Sequence, residues 1–191
     1  MKLRLISILL FAAVPSLRAQ TIATPRRGWV AALRFGLAYG RVVCDSPCRF
    51  RAGPTGFHTG VFLGHTVGDR AALGLGSTAS SSLSSRNAPV RWGTGGFGIV
   101  ATARPSPDSD IETRAMLGIG ESDIGPRSLR LRPQSVLWAL GIALDDPSRR
   151  GAGGYGELLG TTGARAPKWA EHPGVPIHAF SVAGGVNYAI R

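Results

Sequence analysis

The sequence predicts an all-β fold, an eight-stranded antiparallel up-and-down barrel, from three observations. Side chains alternate between apolar and small or polar over short segments. Connections between those segments alternate in length. Aromatic residues are sorted to the segment ends. The clearest segment is Trp29-Val30-Ala31-Ala32-Leu33-Arg34-Phe35-Gly36-Leu37-Ala38-Tyr39, where every odd position is apolar and the even ones are small or, at Arg34, charged. A strand projects successive side chains to opposite faces, so this segment has one greasy face and one that tolerates a charge. No segment after residue 19 keeps a 3.6-residue apolar stripe over three turns, so helices are not expected.

Taken in order, punctuation by Gly, Pro, Ser, Asp and Asn sets strands near 28–42, 56–67, 71–82, 91–103, 111–121, 135–144, 153–164 and 177–190. In the second, Phe57, Val61, Leu63 and Val67 oppose His58, Gly60, Gly64 and Thr66, with Phe62 on the small-residue face as an exception. The fifth sets Ile111, Ala115, Leu117 and Ile119 against Glu112, Arg114, Gly118 and Gly120. The sixth sets Val136, Trp138, Leu140, Ile142 and Leu144 against Ser135, Ala139, Gly141 and Ala143, and the eighth sets Phe180, Val182, Val186, Tyr188 and Ile190 against Ser181, Ala183, Gly185 and Asn187. The third, fourth and seventh are glycine-rich and ambiguous, although in the seventh Glu157 is expected to face inward with Tyr155. Gly68-Asp69-Arg70, Pro105 to Asp110 and Asp145 to Arg150 are short connections; 43–55, 83–90, 122–134 and 165–176 are longer. That rhythm suits a meander with short turns at one end, the periplasmic end of a membrane barrel, and long loops at the other.

The N-terminus supplies the compartment. Met1-Lys2-Leu3-Arg4, an apolar run from Leu5 to Val14 and Ala19 before Gln20 read as a cleaved secretory signal over 1–19, leaving residues 20–191 as one domain. The run is well short of the ~20 residues of a spanning helix. An exported chain without such a helix is soluble outside the cytoplasm or sits in a membrane as a barrel, which alone among sheets satisfies every backbone polar group in lipid. Formal net charge is +11, carried almost wholly by arginine. The arginines are scattered and the chain is exported, so a nucleic-acid partner is not expected.

The inward charges favour lipid outside. Arg34, Glu112, Arg114 and Glu157, with Asn187, fall on the small-residue faces, and a carboxylate facing lipid would be costly. Trp29, Tyr155 and Tyr188 fall near one set of strand ends, and Tyr39, Phe57, Trp92 and Phe180 near the other, as two aromatic girdles. With its signal peptide, its Gly-aromatic strands (Phe35-Gly36-Leu37-Ala38-Tyr39-Gly40 and Gly60-Val61-Phe62-Leu63-Gly64) and its final strand Gly184-Gly185-Val186-Asn187-Tyr188-Ala189-Ile190-Arg191, the chain resembles the small eight-stranded transmembrane barrels of the OmpA/OmpX type. The resemblance implies a bacterial outer-membrane location, insertion by the barrel-assembly machinery, a monomer among lipid and glycolipid, and a structural or interaction role. Such barrels end in an aromatic residue; here the last residues are Ile190-Arg191, with Tyr188 the nearest aromatic.

Three groups of residues could carry chemistry. Cys44 and Cys48, with three residues between them in an exported protein, read as one loop-pinning disulfide; the spacing suits neither a redox pair nor a metal site. Arg34, Glu112, Arg114, Glu157 and Asn187 read as a packed lumen network, because an eight-stranded barrel is only wide enough for side chains; a narrow pore for small solutes or ions is the alternative. Arg49, Arg51, Arg86, Arg91, Arg127, Arg130 and Arg132 lie at or beyond the outer rim, where guanidinium groups would pair with glycolipid phosphate or stay solvated. A lipid A-modifying enzyme would need a nucleophile–base set; His178 and Ser181, three apart on a strand, point to opposite faces, and no such set is seen. Neither a cofactor nor a metal is expected. A soluble calycin-like barrel would need an apolar interior, against which Arg34, Glu112 and Arg114 argue.

Overall fold

The computed structural model describes residues 28–44, 55–82, 91–125, 134–145, 151–165 and 176–190. They form eight strands: β1 (Trp29–Cys44), β2 (Thr55–Val67), β3 (Ala71–Ser82), β4 (Arg91–Ala103), β5 (Ile111–Gly125), β6 (Gln134–Asp145), β7 (Ala152–Arg165) and β8 (Pro176–Ile190). Each pairs antiparallel with its sequence neighbours, and β1 closes on β8 from Ala31↔Ile190 to Cys44↔Ile177, giving a closed barrel in chain order. Closure removes every free sheet edge, which is what a sheet in hydrocarbon requires.

The short connections gather at the N-terminal end of β1. Gly68 turns β2 into β3 with φ of 70°, a left-handed conformation that glycine enters without a Cβ clash. Gly28 is tied to Thr66 by its N–H to the hydroxyl (2.9 Å) and by its carbonyl from the Thr66 N–H (3.0 Å). At the other end β5 continues four residues past the expected boundary, pairing to Arg91↔Gly125. The polar pair Ser122-Asp123 reads as loop, but Ser122 points inward and hydrogen-bonds the Thr161 hydroxyl, while Glu121 before it faces outward and exposed.

The wall is apolar outside and polar inside. Leu33 is 57% exposed and its neighbour Arg34 4%. Leu75, Phe97, Leu117, Leu140 and Val186 share the outer face; Thr78, His58, Arg114, Glu157 and Asn187 share the inner one. A water-soluble barrel would invert this, because large aliphatic side chains are the ones water drives inward. Contiguous apolar surface on this scale marks a membrane or partner face.

The undecided strands now have faces. β3 turns Ala72, Thr78, Ser80 and Ser82 inward, β4 Trp92, Thr94, Val100 and Thr102, and β7 Tyr155, Glu157, Leu159 and Thr161. The β7–β8 register shifts between Thr161 and Ala164 at Gly163, whose φ is 92°. That is a bulge, placed where the strand leaves the apolar band.

Two aromatic assignments are corrected. Trp92 and Tyr155 do not face lipid: Trp92 is 1% exposed and Tyr155 is buried beside Glu157. Trp92 crosses the lumen from β4 toward β1, where its ring leaves no room for a side chain at Gly40: a methyl carbon there would lie 2.5 Å from the indole. Parity decides the matter, since Trp92 shares its face with Thr94 and Tyr155 shares its face with Glu157. Trp29, Tyr39, Phe57, Phe180 and Tyr188 are exposed on the outer face.

Candidate functional site: the lumen network

The barrel interior is layered. Phe62, Val100, Met116, Leu137 and Leu159, with small alanines, form an apolar cluster. Beside it, on the same inner faces, lies a polar network centred on Glu157 of β7. Arg34 of β1 donates from Nη1 to Glu157 Oε2 at 2.7 Å and from Nε to Asn187 Oδ1 of β8 at 3.2 Å. Thr78 of β3 donates its hydroxyl to Glu157 Oε1 at 2.7 Å. Arg114 of β5 brings Nη1 within 3.4 Å of Glu157 Oε2, and the Tyr155 ring lies under the Arg34 guanidinium at 5.6 Å. Side chains of β1, β3 and β5 thus converge on one carboxylate of β7, which only a narrow closed barrel allows.

His58 extends the network toward the long-loop end. Its Nδ1 is 2.9 Å from Ser80 Oγ and its Nε2 3.2 Å from Thr78 Oγ1. Thr78 spends its only proton on Glu157, so it can only accept from His58 Nε2–H; Nδ1 then accepts from Ser80, which itself accepts from Ser181 at 2.9 Å. A neutral imidazole with its proton on Nε2 satisfies every bond in this chain. Further up, Thr94 and Ser122 meet the Thr161 hydroxyl, below Trp92.

Glu112 belongs to a different group. At the short-turn end Arg104 lies between Glu112 Oε2 (3.6 Å) and Asp145, to which it is tightly paired, and it also donates to the Ser109 carbonyl at 3.2 Å. Asn187 Nδ2 reaches Asp145 Oδ1 at 3.5 Å and links the two groups. The structure therefore brings together Arg34, Arg114, Glu157 and Asn187, adds His58, Thr78, Ser80 and Tyr155, and sets Glu112 at the mouth with Arg104 and Asp145.

The remaining sequence candidates lie elsewhere. Cys44 ends β1, and Cys48 lies outside the described residues, as do Arg49, Arg51, Arg86, Arg127, Arg130 and Arg132; Arg91 begins β4. His178 and Ser181 are on opposite faces of β8, and Ser181 bonds Ser80. Among the described residues no group of three His, Cys, Asp or Glu side chains could hold a metal ion.

An apolar wall closed around a charged, packed interior defines a small membrane-spanning β-barrel of the outer-membrane kind. Solved structures agree on the fold. Neisserial surface protein A aligns with TM-score 0.52 at 10% identity, covering 84% of this chain and 95% of that one. Ail, the attachment invasion locus protein of Yersinia pestis, aligns with TM-score 0.53 at 11% identity, covering 85% of this chain and 100% of that one. Ail in complex with the heparin analogue sucrose octasulfate aligns with TM-score 0.50 at 12% identity, over 85% and 100%. No protein-family profile and no curated protein sequence matches the chain.

Proposed function

We propose that the chain is an exported outer-membrane barrel, inserted by the barrel-assembly machinery, that acts as a monomeric structural and interaction protein with a closed lumen. The observation that carries the reading is the Glu157 network: Arg34, Arg114, Thr78 and His58 converge on it from four strands inside a wall whose outer face is apolar. Such a lumen leaves the work to the outer surface. The test is conductance. In planar bilayers the protein should show no steady channel current above the bare membrane, and Glu112→Ala should not create one; a stable open-channel current would favour the pore reading.

The partner class follows from charge. Arg49, Arg51, Arg86, Arg91, Arg127, Arg130 and Arg132 fall in or next to the long connections of the sequence, and guanidinium groups take phosphate in bidentate geometry. Ail, which shares this fold, has been solved in complex with the heparin analogue sucrose octasulfate, a polyanion. Phosphorylated glycolipid of the outer leaflet is the ligand we assign to these arginines. Replacing Arg127, Arg130 and Arg132 together by Gln should weaken binding of glycolipid vesicles several-fold, with little effect on phosphate-free vesicles. Equal binding to both would remove the assignment.

A further inference from the structure

His58 is the one inward histidine among the described residues, and it is 0% exposed. It stands where two hydrogen bonds cross the lumen. Thr78 of β3 reaches Glu157 of β7, and Ser181 of β8 reaches Ser80 of β3. The imidazole touches both β3 hydroxyls, so its protonation fixes the direction of each bond. Uncharged, with its proton on Nε2, it gives a hydrogen to Thr78 and takes one from Ser80. A second proton, on Nδ1, would meet the Ser80 hydroxyl that now donates there. Ser80 would have to turn its own proton away, and the Ser181 bond would have to reverse to receive it.

Charge opposes that second proton as well. Among the described residues the lumen and its short-turn mouth hold three arginines, Arg34, Arg104 and Arg114, and three carboxylates, Glu112, Asp145 and Glu157. The count balances only while His58 is uncharged. Around the ring, β7 presents Glu157 and Tyr155, β1 presents Arg34 and β5 presents Arg114, while β3 and β8 present hydroxyls. Glu157 Oε1 lies 3.5 Å from Nε2, yet that carboxylate already receives Thr78 and Arg34 and has Arg114 beside it. A charged imidazole would be a third cation on one acid, in a place where an uncompensated charge is costly.

We propose that His58 is an acid-sensitive latch: uncharged, it locks β2 and β3 to β7 and β8 across the lumen, and a second proton loosens the lock. The proposal rests on the closed-lumen reading, but the two fail separately: a channel current would overturn closure, whereas the latch is read from unfolding. The test is urea unfolding of the full chain from lipid vesicles at about pH 7.5 and about pH 5.5. An unfolded imidazole gains its second proton below about pH 6.5. A folded state that excludes this proton is fully stable above that pH, and its folding equilibrium constant falls up to about tenfold per pH unit below it. Wild type should therefore lose about tenfold more on acidification than His58→Gln, which offers Thr78 an amide donor and cannot titrate. His58→Asn, which offers Ser80 a carbonyl, serves as a second variant. In folded wild type the imidazole nitrogen resonances should be those of the uncharged Nε2–H form at about pH 7. Equal acid losses in wild type and the variants, or a charged His58 in the folded barrel at about pH 7, would overturn the proposal.

Discussion

Glu157→Ala is expected to destabilise the folded barrel by about 3–5 kcal/mol, the scale for removing one partner from a buried ion pair and leaving the other uncompensated. The substitution strips Arg34 of its 2.7 Å bond and leaves Arg34 and Arg114 facing each other inside the wall, with no carboxylate between them. Thr78 loses its acceptor as well. Glu157→Gln keeps a carbonyl oxygen for Thr78 and should fall between the two. Arg114→Met should cost less than Arg34→Met, because Arg34 has two hydrogen bonds to lose, whereas Arg114 has only a contact to sulfur and a looser approach to the acid. Urea unfolding from lipid vesicles measures all four. Wild-type stability in Glu157→Ala would mean that water already compensates the arginines, and that the lumen is wetter than the network implies.

What the sequence disclosed depended on contrast between neighbours. In β1, β2, β5, β6 and β8 large apolar residues alternate with small or charged ones, and the faces could be read directly. In β3 and β4 glycine, serine and alanine occupy both faces, so parity had nothing to mark it. Trp92 was misread for a related reason: an aromatic near a strand end looks the same whether it faces lipid or crosses the mouth. Its partner across the lumen, Gly40, belongs to β1, three strands away.

The network was legible only in part. Arg34, Arg114, Glu157 and Asn187 stand out as polar residues on small-residue faces, yet nothing local says that four strands aim them at one point. His58 gave a weaker signal, a lone imidazole on the inner face of β2. Thr78 and Ser80 gave none, since hydroxyls on β3 look alike on either face. Glu112 was grouped with the others by parity; its position one residue into β5, beside the short turn carrying Arg104, is the feature that separates it.

The second large effect concerns the outer face. Leu33 lies inside the apolar band of β1, between Trp29 and Tyr39, paired with Val61 and Tyr188, and 57% exposed. On a soluble protein, Leu→Arg at so exposed a position changes stability by less than about 0.5 kcal/mol. Facing hydrocarbon near the bilayer centre, an arginine costs about 2–4 kcal/mol. One residue along, Arg34 carries the same charge inward at no such penalty, because Glu157 receives it. The comparison therefore isolates direction from composition. The decisive measurement is the unfolding free energy of Leu33→Arg in lipid vesicles against wild type. A loss of about 2–4 kcal/mol is the predicted result; an unchanged value would place this face in water and contradict the membrane barrel.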